Sequence, residues 1–312
     1  MRAFALDTFG APGSVHELPD PKPAEGEVRV RVRAASINPF DNFVVMGYVK
    51  DRMEHRFPLI PCGDLSGTVD AVGTGVSGLA IGDEVFGVTG KMVLGLGTLA
   101  ELATATAATI ARRPDGIDDV EAAAMPLAGV SALMSVQAVD PKENDVMIVI
   151  GASGGIGGYA VQLARRRGAH VIGVTSTPNL EYVKSLGAAE VVDRNAGDLL
   201  EALRSRFPQG VAALLDTASD QPSLAHLSQV VRKGGIVTSM RGSAAVDELA
   251  GRGIKGVNIG TQVTTDRLVE LAKLRLAGKI KRPRIRTFTL EQAGEAFEAI
   301  AKGGGGKIVV TV

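Results

Sequence analysis

The pattern of apolar and polar positions divides the chain into a strand-rich part and a part that alternates strands with helices. Glu27–Arg33 places three valines on one face and arginines on the other, which predicts a half-buried strand with a solvated outer face rather than a polyanion site. Gly67–Gly73 and Asp83–Gly87 predict further short strands between glycine turns. This spacing, from about Arg2 to Ala103, indicates a small β-barrel or folded sheet.

The middle of the chain carries six apolar runs of strand length that alternate with helical segments. Strands that alternate with helices predict parallel βαβ units, and six of them complete a doubly wound sheet built from two mononucleotide-binding halves. The runs are Val146–Ile150, Val171–Val174, Glu190–Val192, Ala212–Leu215, Gly235–Ser239 and Gly256–Ile259.

The turn after the first of these runs carries the most specific signal in the chain. Gly151–Gly158 has the sequence GASGGIGG, follows a strand and opens a helix over Tyr159–Arg167, which Gly168 ends. Its glycines remove the Cβ atoms that would keep a pyrophosphate from the free amides at the helix N-terminus. This context predicts dinucleotide binding rather than an ordinary glycine-rich turn, with contacts from Ser153, Gly154, Gly155, Ile156 and Gly157.

The last part of the chain predicts two helices and a returning strand. One helix begins after Thr264 and runs to about Ala277, and another, after a short strand at Phe288–Leu290, ends at about Ala301. Lys307–Val312 then predicts a strand that is too far from the six-strand set to extend it simply. We expect it to return to the N-terminal domain.

Composition narrows the class of protein. Of 312 residues, 34 are Lys or Arg and 34 are Asp or Glu, so no net field attracts nucleic acid or an anionic membrane. No apolar run is long enough to span a bilayer, and Met1–Asp7 lacks the apolar segment of a signal peptide. The single cysteine, Cys62, excludes an intrachain disulfide and fits a reducing, cytoplasmic location.

Several short motifs are spread over nearly the whole chain, and together they are far more specific than any one of them. They are Ala35–Asp41, Gly47–Tyr48, Pro61–Gly67, Gly82–Val85, Glu121–Gly129, the glycine turn, Ser185–Ala188, Lys233–Gly235 and Gly306–Val309. With this set the chain resembles the zinc-independent quinone oxidoreductase branch, ζ-crystallin-like, of the medium-chain dehydrogenase/reductase superfamily.

The resemblance implies an α/β fold in which a Rossmann doubly wound parallel sheet is inserted in a GroES-like β-rich catalytic domain. The catalytic domain is expected over residues 1–119 and 264–312, the Rossmann domain over residues 120–263, and the active site in the cleft. The resemblance also implies hydride transfer from NADPH to a quinone or an activated C=C, and a homodimer.

The chain lacks the ligands of the zinc-dependent alcohol dehydrogenases of the same superfamily. A structural zinc needs about four soft ligands. This chain has one cysteine and four scattered histidines, His16, His55, His170 and His226. Gly63 and Asp64 stand where the zinc enzymes have a His-Glu pair, and Cys62 is better explained as a small buried hydrophobe than as a ligand or nucleophile. We therefore expect no metal, which disfavours alcohol oxidation and leaves reduction of a conjugated acceptor.

Three side chains of the N-terminal part are candidate catalytic residues, with one further acid beside them. Tyr48 matches the family position that faces the nicotinamide and substrate, where a phenol can hydrogen-bond or protonate an enolate; the alternative is a packing tyrosine. Asn38 matches the family asparagine near the nicotinamide ribose and carboxamide, although Asn before Pro39 also favours a turn. Asp41 either has an active-site role or caps the next helix, and Asp64 either holds a turn or reaches the cleft.

The charge of one loop indicates NADP(H) as the cofactor. NAD specificity usually places a carboxylate about 20 residues beyond the glycine turn, whereas Thr175–Asn179 contains no acid. The hydroxyls of this loop can donate hydrogen bonds to a 2′-phosphate, and we expect Arg194, where relatives often have tyrosine, to supply a cation. Ser131 either contacts the cofactor from its helix or is a back-bonding serine. The predicted cofactor contacts outside the glycine turn are Ser131, Thr175, Ser176, Thr177, Arg194, Thr217 and Ser239.

The sequence leaves two classes of function open. The first is an NADPH-dependent reductase of quinones, enones or alkenals, with an enoyl-thioester reductase as a near variant. The second is a non-catalytic NADPH-binding sensor or structural protein, because fold does not fix function. Tyr48 and Asn38 favour the enzyme. Two loops, Val49–Phe57 and Gly90–Gly97, carry methionines and leucines that indicate an apolar small-molecule substrate.

Overall fold

A computed structural model describes all 312 residues, which divide into two compact units. The first unit comprises Met1–Ala128, Val263–Ala277 and Arg282–Val312, and the second comprises Gly129–Gln262 and Gly278–Lys281. No helix has the length and apolar content needed to cross a membrane.

Seventeen strands are distributed over the two units. Those before the glycine turn are β1 (Arg2–Ala5), β2 (Ser14–Glu17), β3 (Glu27–Ile37), β4 (His55–Ile60), β5 (Asp64–Val72), β6 (Glu84–Val88), β7 (Leu94–Leu96), β8 (Leu102–Thr106), β9 (Ile110–Arg112) and β10 (Val146–Ile150). Those after it are β11 (His170–Thr175), β12 (Glu190–Asp193), β13 (Val211–Asp216), β14 (Val231–Ser239), β15 (Lys255–Asn258), β16 (Ile285–Thr289) and β17 (Lys307–Thr311).

Ten α-helices connect and cover these strands. They are α1 (Pro39–Val45), α2 (Asp119–Ala124), α3 (Pro126–Val139), α4 (Gly155–Arg166), α5 (Leu180–Ser185), α6 (Leu199–Arg206), α7 (Gln221–Leu227), α8 (Val246–Gly251), α9 (Thr265–Leu276) and α10 (Ala293–Lys302).

The second unit is built on one six-stranded sheet. Its strand order is β12-β11-β10-β13-β14-β15, and every neighbouring pair is parallel. Ile148, Ile172, Leu214 and Val237 are fully buried in its core, which explains why the strands have continuous apolar sequences. This order is that of a full doubly wound fold, so the prediction of six parallel strands is confirmed.

The first unit contains a seven-stranded sheet of order β16-β17-β3-β5-β6-β9, with β8 also paired to β3. Val28, Val30 and Val32 of β3 face the core, while Arg29 and Arg31 on the other face pair with Asp70. Strand β17 pairs antiparallel with β3. The last strand of the chain therefore returns to the N-terminal domain, as its sequence predicts.

Candidate cofactor cradle and buried polar network

The glycine turn joins β10 to α4 and forms a cradle at the carboxyl edge of the six-stranded sheet. Gly151 has φ +76°, and Gly154 is the N-cap of α4 with no side chain to occupy the helix end. A Cβ on Gly157 would lie 2.2 Å from the carbonyl oxygen of Gly151, so only glycine allows the helix to pack this close to the turn. The first-turn amides of Gly155, Ile156 and Gly157 have no intrahelical acceptors and fit a pyrophosphate.

The predicted hydroxyl contacts near the cradle lie at neighbouring strand ends, where they bond to each other or to the backbone. Thr175 donates to the Ser153 hydroxyl over 2.8 Å, and both side chains are buried. Thr217 donates to the carbonyl of Ile150 over 2.8 Å. These hydroxyls shape the wall of the cradle because they tie the ends of β10, β11 and β13 together.

The hydroxyls of two other predicted contact residues form hydrogen bonds within the protein. Ser239 is fully buried, and its hydroxyl accepts the backbone amides of Arg241 and Ser243, each over 3.1 Å. Ser131 is 1% exposed, with its hydroxyl 2.6 Å from that of Thr261. The serine of α3 that bonds back onto its own helix is Ser135, which donates to the Ser131 carbonyl.

The loop after β11 holds the residues predicted to meet a 2′-phosphate. The Ser176 hydroxyl accepts the Asn179 side-chain amide over 3.1 Å. The backbone amide of Arg194 donates to the Thr175 carbonyl over 2.8 Å, which places the exposed Arg194 beside the end of β11. The structure thus brings Ser176 and Arg194 to the same rim.

An acid that sequence reasoning missed lies at this rim. The carboxylate of Asp193 accepts the Thr177 hydroxyl over 2.6 Å, although no acid occurs in the loop itself. Asp193 comes from β12, whose register pairs it with Thr175. Adjacency of strand ends in a doubly wound sheet was the signal that could have found it, because Asp193 ends the strand that pairs with β11.

In the first unit, three polar side chains form a buried network around Asn38. Its Nδ2 donates to Asp64 Oδ2 over 2.9 Å, and its Oδ1 accepts Lys307 Nζ over 2.5 Å. Lys307 Nζ also lies 3.6 Å from Asp64 Oδ2. Asp64 further accepts the backbone amide of Leu127 over 3.0 Å. The orientation of the Asn38 amide is therefore fixed from both sides.

Lys307 is the member of this network that the sequence analysis did not single out. It is 4% exposed at the start of β17, a position where the neighbouring Ile308, Val309 and Val310 are apolar. Burial lowers the pKa of Lys307, while the charges of Asp64 and Asp41 raise it. The signal in the sequence was a lysine at the head of an otherwise apolar strand.

Asp41 occupies the first turn of α1. The helix begins at Pro39 with Asn38 as its N-cap, so the alternative that Asp41 is the N-cap is wrong. Asp41 instead accepts the backbone amide of Asn38 over 2.6 Å, because its carboxylate folds back over the first turn. Burial raises the pKa of Asp41 to about 7, and the nearby charge of Asp64 adds to this rise.

Cys62 borders the same network. The Cys62 backbone has φ +73°, a left-handed conformation that is uncommon outside glycine. Burial raises the pKa of the Cys62 thiol well above its usual range. The thiol is therefore protonated and unreactive at neutral pH, which agrees with the interpretation as a buried hydrophobe.

Tyr48 lies in the turn after α1, and its side chain is largely exposed. It follows Gly47, which has φ +77°, and 66% of its surface is accessible. Its ring contacts Phe43 with a centroid separation of 5.9 Å. A core packing role does not explain a phenol with this exposure.

The two loops expected to shape the substrate pocket are tied together. Strands β4 and β7, one from each loop, pair in parallel, with His55 opposite Leu94. Phe57 and Met92 in these loops are 40% and 79% exposed, so apolar side chains are accessible there. No three or more His, Cys, Asp or Glu side chains come together in a metal-ligating group.

Comparison with known proteins agrees with this geometry. Residues 24–115 match the alcohol dehydrogenase GroES-like domain family, and residues 155–255 match the zinc-binding dehydrogenase family. A chloroplastic quinone oxidoreductase, QR1, from Triphysaria versicolor is 31% identical over 99% of this chain and 98% of its own length. A chloroplast envelope quinone oxidoreductase homolog from Arabidopsis thaliana is 39% identical over 62% of this chain and 61% of that relative.

A solved structure extends the likeness over the whole fold. The quinone oxidoreductase from Coxiella burnetii superimposes with a TM-score of 0.90 at 27% identity, covering 100% of this chain and 99% of that one. The GroES-like and Rossmann architecture and the cradle define an oxidoreductase that uses a nicotinamide cofactor. The chain belongs to the quinone oxidoreductase branch of the medium-chain dehydrogenase/reductase superfamily.

Proposed function

We propose that this protein is an NADPH-dependent, zinc-independent reductase that transfers hydride to a quinone or to the activated C=C of an enone or alkenal. The observation that carries the proposal is the glycine cradle at the carboxyl edge of a doubly wound sheet, in a chain of the quinone oxidoreductase branch. When bound, the dihydronicotinamide supplies the hydride. The protein binds the cofactor, orients the substrate and stabilises the charge that develops on it.

The cradle binds the cofactor through backbone groups. The free amides of Gly155, Ile156 and Gly157 hold the pyrophosphate at the N-terminus of α4, where the helix dipole favours negative charge. The hydroxyls of Thr175 and Thr217 keep the neighbouring strand ends in place, since each is bonded to the turn or to β10. A rigid cradle positions the cofactor with little ordering cost on binding.

In this proposal Tyr48 acts on the acceptor. Hydride addition to a conjugated carbonyl or quinone leaves negative charge on an oxygen. A phenol can donate a hydrogen bond to that oxygen or transfer its proton to it. The exposure of Tyr48 leaves its ring accessible to a small molecule. We assign Asn38 a positioning role rather than direct contact with the acceptor. Lys307 already binds its amide oxygen, and its amide nitrogen already donates to Asp64.

We also propose that NADPH is preferred over NADH. Ser176 and the backbone of Arg194 lie at the rim beside the end of β11, and we expect the 2′-phosphate of NADPH to bind at this rim, within reach of the Arg194 side chain. A charge-assisted contact to a phosphate is among the stronger polar contacts in proteins. The cytoplasmic location and the homodimer remain proposals that rest on the sequence.

The test is oxidation of NADPH by the purified protein with a quinone, an enone and an enoyl thioester offered separately. We expect turnover with the quinone or the enone and slower turnover when NADH replaces NADPH. Tight NADPH binding without turnover of any acceptor would support the non-catalytic alternative and contradict this proposal.

A further inference from the structure

We infer that Asp193 is a specificity-determining residue that weakens binding of the 2′-phosphate of NADPH and thereby limits the preference for NADPH over NADH. The inference rests on the proposed cofactor site and assigns a role to an acid that the loop sequence alone does not reveal.

The sheet register places Asp193 at the rim. Strands β11 and β12 are parallel neighbours, and Thr175 at the end of β11 pairs with Asp193 at the end of β12. The next residue, Arg194, donates its amide to the Thr175 carbonyl over 2.8 Å. An aspartate and an arginine thus follow one another at the same edge, beside the loop that begins at Ser176.

Both oxygens of the Asp193 carboxylate are held. Oδ2 accepts the Thr177 hydroxyl over 2.6 Å, and Oδ1 accepts the backbone amide of Asn195 over 2.9 Å. The Thr177 hydroxyl, the Asn195 amide and the charge of Arg194 all lower the pKa of Asp193. The carboxylate is therefore ionised throughout the neutral range and fixed in place by its two donors.

This arrangement affects the two cofactors differently. Thr177 donates its only hydroxyl proton to Asp193, so towards a cofactor it presents lone pairs. Lone pairs can accept a hydrogen bond from the ribose 2′-hydroxyl of NADH, but they cannot donate one to a phosphate. The fixed negative charge of Asp193 also repels the phosphate and offsets part of the attraction of Arg194.

The test compares the dissociation constants of NADPH and NADH for wild type and Asp193→Asn, measured by calorimetry without any acceptor. The amide keeps an oxygen that can accept the Thr177 hydroxyl, while the negative charge is removed. We expect NADPH to bind about three- to tenfold more tightly, because its phosphate carries nearly two charges, and NADH to change less than about twofold. High salt should shrink the difference, since the rim is exposed.

Two further variants show whether the charge at this position is responsible. Asp145→Asn removes the same charge from a hydrogen-bonded carboxylate at the opposite edge of the sheet, just before β10. It should leave the ratio of the two constants unchanged. Thr177→Val removes the hydroxyl but keeps the carboxylate, and we expect no gain in NADPH affinity.

An unchanged ratio in Asp193→Asn would overturn the inference. So would an equal shift of the ratio in Asp145→Asn, or an equal gain in NADPH affinity in Thr177→Val. A wild-type protein that prefers NADH would contradict the proposed NADPH preference. A shift of the ratio towards NADPH in Asp193→Asn would still support the role of Asp193 in that case.

Discussion

The network around Asn38 and the rim around Asp193 use the same residue types in opposite surroundings. In the network, Asp64 and Lys307 are 0% and 4% exposed, so water does not solvate their charges. Each charge is stabilised instead by the opposite charge and by a small number of hydrogen bonds. At the rim, Asp193 and Arg194 are accessible to water, which screens them. We therefore expect charge in the first region to affect stability, and charge in the second to affect the choice between the two cofactors at little structural cost.

The largest effect is expected from breaking the buried pair. Lys307→Met should lower the free energy of unfolding by about 3–5 kcal/mol, because it leaves the Asp64 carboxylate buried without its cation. Arg31→Met is the matched control, since Arg31 is 60% exposed and pairs with Asp70 at the solvent face of β3. It should cost less than about 1 kcal/mol. Urea unfolding of both variants checks the comparison, and equal losses would contradict it.

The next effect concerns catalysis rather than stability. Tyr48→Phe should lower kcat for an enone by a transition-state cost of about 2–4 kcal/mol, because one hydrogen bond to the developing oxyanion is lost. The melting temperature and the NADPH dissociation constant should stay unchanged, since the side chain is exposed. A quinone, which is already a strong hydride acceptor, should show a smaller loss. If kcat were unchanged for every productive acceptor, Tyr48 would have no role in the reaction.

The buried network should also give stability a pH dependence. The pKa of Asp41 is raised by burial to about 7 in the folded protein, against 3.8 as its ordinary value. Between these two pH values the folded protein keeps a proton on Asp41 that the unfolded chain has lost. The contribution of Asp41 to the stability of the fold is therefore full at low pH and is lost as pH rises through 7. Wild type should lose about 2.5 kcal/mol more stability than Asp41→Asn between pH 5 and pH 8. Parallel unfolding curves for the two proteins over that range would exclude this assignment.

The smallest effect is expected at the exposed rim. Arg194→Ala should weaken NADPH about tenfold, the low end for a charge-assisted contact, because Asp193 already offsets part of its attraction. NADH affinity should be almost unchanged. Binding titrations with both cofactors decide this, and equal losses for the two would remove Arg194 from the phosphate site.

The parts of the molecule predicted from sequence are those that local pattern determines. Val146–Ile150 has the same bounds in the sequence prediction and in the structure, and the glycine turn was recognised from its neighbouring strand and helix. The return of Lys307–Val312 to the first unit followed from its distance to the other strands. Apolar periodicity and turn chemistry are sufficient for these elements because neighbouring residues decide them.

The parts that were missed depend on residues far apart in the chain. Asn38 and Lys307 are 269 positions apart, and only the pairing of β17 with β3 brings them together. The contact of Thr177 with Asp193 depends in the same way on the register of β11 and β12. Single residues of these sets were visible in the sequence, but the hydrogen bonds that define their roles arise only when the sheets form.

The central claim is direct hydride transfer from NADPH to a conjugated acceptor, and isotope labelling tests it most directly. The wild-type protein is given an enone with NADPH deuterated in turn at each of the two C4 positions of the nicotinamide. We predict that one of the two labelled cofactors places deuterium on the β-carbon of the saturated product, while the α-carbon takes its proton from water. A saturated product without cofactor-derived deuterium from either label, or NADPH that is bound but never oxidised by an enone or a quinone, would contradict the account.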